Sequence, residues 1–142
     1  MDYDEIKEGA IVYLRHGFFP DSDTIDYRLN GRPYLVYSIE GDDVLLLKLS
    51  TSNYFGEPFY YLLDRVDGRG NEVTSYLDLR YLLVISKERL ISEMNMVLDS
   101  KFKKRFPKKL QKISEETLEK IVALRKKMEI VNEFNELYPL YK

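Results

Sequence analysis

The spacing of apolar residues changes once along the chain, at Ser86, and that change constrains the fold more than any other feature. Up to Ser86 the apolar residues come in short runs rich in β-branched and aromatic side chains, separated by Gly, Asp, Asn and Pro; beyond it they recur every three or four residues. The first pattern is that of strands punctuated by turns, the second that of amphipathic helices. Strands are expected at Ala10–Arg15, Tyr34–Ile39, Val44–Ser50, Pro58–Leu63, Val73–Leu79 and Leu82–Ile85. Gly41-Asp42-Asp43 and Asp67-Gly68-Arg69-Gly70 supply positive-φ positions and side-chain-to-backbone bonds, so hairpins are expected there. Successive hairpins make a mostly antiparallel sheet. Closing such a sheet removes its edges, so a strongly coiled sheet or a small, strongly coiled antiparallel β-barrel is expected over about residues 9–86.

After Ser86, a natural N-cap, Leu90, Ile91, Met94, Val97 and Leu98 trace one stripe of a helix. Ser114 caps a second, Glu115 and Glu116 suit the positive end of its dipole, and Leu118, Ile121, Val122, Arg125 and Met128 form one mainly apolar face. Pro139 is expected to stop any helix from Val131 to Tyr138. The fold class is therefore α+β, with the helical part at 87–142. A chain of 142 residues, 44% hydrophobic and without an interdomain linker, is expected to form a single domain over residues 1–142.

Composition excludes several kinds of chemistry. There is no Cys, hence no disulfide framework, thiolate metal site or Cys nucleophile, and His16 is the only histidine. The carboxylates lack the spacing of a metal loop or an HExxH helix, so no metal and no cofactor is expected. Neither a GxSxG nor a phosphate-cradling Gly-rich loop occurs. Histidine-based RNA cleavage uses one His as base and another as acid, which a single histidine cannot do. Lys+Arg 22 nearly cancels Asp+Glu 24, so the net charge of -2 predicts neither nucleic-acid nor membrane affinity, and the distribution of charge matters more. The sequence MDYDEIKEGAIVYLRH is acidic where a secretory leader is basic, and no apolar run approaches a bilayer crossing, so a cytoplasmic protein without a membrane partner is expected.

Two segments break the strand pattern. Residues 16–31, HGFFPDSDTIDYRLNG, read as a long polar loop, and such loops in compact domains are usually functional or disordered. Residues 101–112, KFKKRFPKKLQK, carry Lys101, Lys103, Lys104, Arg105, Lys108, Lys109 and Lys112 with no acid among them. This run is either a solvated face or an RNA contact, with Phe102 and Phe106 as core anchors or base-stacking platforms. Arg32 follows the loop at the head of a strand, and Pro33 holds it extended. Thr51 and Ser52 close the next strand. A guanidinium stays protonated and matches phosphate geometry, so it can stabilise the charge that grows on a phosphorane, while the two hydroxyls donate to phosphate oxygens. The plainer reading is a solvated strand start and a turn cap. Tyr27 is the loop residue suited to stacking on an unpaired base, and Arg28 and Lys48 are further RNA-binding candidates. The other tyrosines, of 12 in all, fit strand preference and half-buried packing. Asp21, Asp23 and Asp26 in the loop oppose RNA.

The order GAIVYL, a long loop into GRPYLVYS, VLLLKLSTS, SYLDLRYLLVISKERLI and ISEETLEKIVALRKKM resembles the MazF/PemK (Kid-like) endoribonuclease toxins over much of the chain. The resemblance implies an SH3-like, PemK-like barrel with C-terminal helices, with Arg32, Thr51 and Ser52 as the catalytic positions. It implies metal-independent cleavage of single-stranded RNA to a 2′,3′-cyclic phosphate and a 5′-hydroxyl, and an antitoxin that holds the enzyme inactive. Residues 92–111 are an insertion relative to the usual toxin, and the basic run falls within it. Larger ToxN-like relatives of type III systems carry extra helices, have Lys at the Arg32 position, and are neutralised by a folded RNA. A basic insertion suits a polyanion, so a folded RNA antitoxin is expected ahead of a small protein one, with a homodimer or a higher assembly with the antitoxin as the wider state. The alternative is a catalytically inert SH3-like module that binds RNA or protein.

Overall fold

The computed structural model describes residues 6–17, 26–50, 60–63, 75–98, 112–132 and 137–139. The elements follow in the order β1 (Ile11–Gly17), β2 (Asp26–Glu40), β3 (Asp43–Ser50), β4 (Tyr60–Leu63), β5 (Ser75–Asp78), β6 (Leu82–Ser86), α1 (Lys87–Leu98), α2 (Glu115–Asn132) and β7 (Leu137–Pro139). The fold is mixed α+β with a mostly antiparallel, seven-stranded sheet.

β2 and β3 form a tight hairpin that closes at Glu40↔Asp43, where Gly41 adopts a φ of 61°. β2 is the spine. Its far edge pairs with β1, and its near edge with β3. β3 then divides its second edge between two partners: Asp43 to Leu46 pair with β6, while Leu49 and Ser50 pair with β5, which carries β4 beyond it. β7 adds in parallel to the other side of β6, from Leu82↔Leu137 to Val84↔Pro139. Pro139, expected to stop any helix in this region, lies at the end of this short strand. Proline is tolerated at an edge, where no partner needs its missing N–H.

Alternation sorts the strand residues onto two apolar faces. Ile11, Tyr13, Leu35, Tyr37, Leu45, Leu47, Leu49 and Leu77 are buried in one cluster with Ile121 and Met128 of α2. Val12, Leu14, Tyr34, Val36, Val44, Leu46, Leu83 and Ile85 are buried in a second with Leu90 and Met94 of α1. The sheet is therefore covered on both sides by helices, and among the described residues it does not close into the expected barrel. The reason is legible in YLVY and VLLLKL: a strand in a small barrel alternates apolar and polar, whereas a strand buried on both faces is apolar throughout.

Both predicted caps form. Ser86 Oγ accepts the Arg89 N–H at 3.1 Å, and Ser114 Oγ accepts that of Thr117 at 3.1 Å. Residues 16–31 differ from the expected loop, since β1 continues through Gly17 and β2 begins at Asp26, with His16↔Tyr27 and Gly17↔Asp26 as register pairs. Ahead of β1, Gly9 holds a φ of 89°. Its N–H donates to the Val36 carbonyl at 2.7 Å and its carbonyl accepts from Ile113 N–H at 3.0 Å, so one residue ties β2 to the segment that leads into α2. A side chain at Gly9 would be strained in this left-handed region, and Gly9→Ala is expected to lower stability by about 1–2 kcal/mol, read as a lower denaturant midpoint at unchanged slope. Among the described residues no helix is long and apolar enough to cross a membrane.

Candidate nucleic-acid interface

The β2–β3 ladder starts at its hairpin and runs to Tyr34↔Lys48. Arg32 lies two residues beyond that pair on β2 and Ser50 two residues beyond it on β3, so both backbone positions belong to the end of the ladder remote from the hairpin. Arg32 is not at the head of its strand, as expected from Pro33, but inside β2, paired with Leu14 of β1. The register breaks directly beside it. Between Leu14↔Arg32 and His16↔Tyr27, the single residue Arg15 spans residues 28–31 of β2. Such irregularities bend a strand and re-aim its residues, and they are common beside functional sites. Tyr27 and Arg28 accordingly belong to β2 rather than to a loop. Thr51, Ser52, Lys101, Lys103, Lys104, Arg105, Lys108 and Lys109 lie outside the described residues.

β5 brings a residue to this corner that the sequence does not single out. Its register pairs Leu77 with Leu49 and Tyr76 with Ser50, while β4 sets Leu62 opposite Tyr76 and Tyr61 opposite Leu77. Leu49 and Leu77 are buried on the α2 side with Tyr61 packed against them. Alternation then turns Lys48 and Tyr76 to the other face. There Lys48 and Tyr76 are half-buried, and Leu62 is 55% exposed. Tyr76 stands out only once the β3–β5 register is known, because Ser75-Tyr76-Leu77-Asp78 reads as an ordinary strand.

The next residues fix the exit from β5. Asp78 accepts from the Arg80 backbone N–H at 3.0 Å and from its side chain at 3.0 Å (Nε) and 2.8 Å (Nη2). The Arg80 guanidinium lies 5.0 Å from the centre of the Tyr81 ring, which meets Tyr138 of β7 edge-on at 5.3 Å. On the α2 side, Arg125 is buried and paired with Glu129 at 3.0 Å. Burial lowers the pKa of Arg125, against opposing contributions from Glu129, Tyr37 and Asp78. Burial, and then the charge of Glu129, raise that of Tyr37, with Arg125 opposing. A charged residue on the otherwise apolar stripe of α2 is the sequence signal for this pair.

A groove of about 760 Å³ lies elsewhere, between α2 and the segment before β1, lined by Ile6, Glu8, Ile39, Leu118, Val122 and Lys126 among others. Ile39 is at the hairpin end of β2, seven residues from Arg32 or roughly 23 Å along an extended strand. The groove is therefore separate from the Arg32 corner. Among the described residues no three His, Asp or Glu side chains are grouped to hold a metal ion. Neither the known protein-family models nor the curated proteins contain a match to this chain.

Proposed function

We propose that this chain is a metal-independent endoribonuclease of toxin type, related to the PemK-like fold and held inactive by an antitoxin. A folded RNA is the favoured antitoxin, ahead of a small protein. The observation that carries the reading is the β2–β3 register, which brings the Arg32 backbone to the end of β3 from which Thr51 and Ser52 follow, with Lys48 on the same strand. A guanidinium and two hydroxyls are groups that suit a phosphate whose charge increases during reaction. The reaction uses a nucleophile that RNA already carries. The 2′-oxygen bonds to phosphorus, the bond from phosphorus to the 5′-oxygen breaks, and net transfer of the 2′-hydroxyl proton to the departing oxygen leaves a cyclic phosphate and a 5′-hydroxyl. Arg32 stabilises the phosphorane, and Thr51 and Ser52 orient the phosphate. Lys48 and the basic run at Lys101, Lys103, Lys104, Arg105, Lys108 and Lys109 hold the backbone of the substrate or of an RNA antitoxin.

The test is direct. Single-stranded RNA incubated with the protein in excess EDTA is expected to yield 2′,3′-cyclic phosphate and 5′-hydroxyl ends, identified by mass spectrometry. Intact RNA at molar excess of protein would return the chain to the second class, a module that binds through this corner without cleaving.

A further inference from the structure

We draw no further inference here: the strongest candidate, the groove between α2 and the segment before β1, has a rim on which Lys7, Lys112 and Lys126 offset Glu8, Glu115 and Glu119, so charge selects no occupant and nothing in the structure shows what covers it.

Discussion

Arg32→Ala is expected to lower the rate of cyclic-phosphate formation by at least about 10²–10³-fold, the usual loss when a donor aimed at developing negative charge is removed. The fold should survive, because Arg32 enters the sheet through a backbone pairing with Leu14 that alanine preserves. An unchanged melting temperature would document this. Arg32→Lys keeps the charge but not the paired donors, so an intermediate rate is expected. The measurement is single-turnover cleavage of one labelled RNA by wild type and both variants, with growth inhibition on expression as a parallel readout. An Arg32→Ala protein that cuts at the wild-type rate would sink the assignment, however much the local sequence resembles a toxin motif. Substrate binding provides the second axis. A variant that binds a 2′-methylated RNA normally while failing to cut unmodified RNA has lost transition-state stabilisation, whereas a parallel loss of both points to positioning of the substrate.

The local elements are legible because local chemistry determines them. Ser86 and Ser114 carry the hydroxyl that an N-terminal N–H requires, and Gly41 marks the one tight hairpin whose positive φ the structure describes. The β2–β3 pairing follows from that hairpin. What depends on distant partners is not legible. β2 extends from Asp26, well before Tyr34, yet Asp26 to Gly31 reads as a polar loop, because pairing with the end of β1 is carried by backbone bonds that leave no apolar alternation. The parallel pairing of Leu137–Pro139 with β6 joins segments far apart in sequence, and nothing local announces it. Hairpins alone suggest a barrel, although the unbroken apolar runs in β2 and β3 call for cover on both faces. The site shows the same division. Arg32 and Lys48 can be named from sequence, but Tyr76 needs the register of a third strand.

Removing Glu129 is expected to destabilise the protein more than its position on the helix surface suggests. Its partner, the Arg125 guanidinium, has a side chain only 1% exposed, against 31% for Glu129, and the two lie one helical turn apart at 3.0 Å. Breaking a buried pair from one side leaves a charge without its main compensation; here the cost is put at about 2–3 kcal/mol, below the fully buried range because Glu129 itself is partly solvated. The direction of the Arg125 pKa shift agrees. A base whose folded pKa lies below its unfolded one gains stability only at pH above that range and loses it as pH falls, so at any physiological pH the charged guanidinium opposes folding. Arg125→Met removes the charge and keeps much of the volume, and is therefore expected to be neutral or stabilising by about 1 kcal/mol. The double variant Arg125→Met, Glu129→Ala should regain most of what Glu129→Ala loses, since no buried charge remains to be compensated. Tyr37 adds a dependence on alkali. Its pKa is raised, first by burial and then by Glu129, so its contribution is complete below the ordinary tyrosine value near 10 and is lost as pH climbs through the higher folded value. Denaturant titrations at neutral pH rank the three variants, and a series toward high pH compares wild type with Tyr37→Phe, which should flatten the alkaline decline. Should Glu129→Ala match wild type while Arg125→Met falls well below it, the guanidinium stabilises the fold in its own right and the carboxylate is dispensable, the reverse of the expected order.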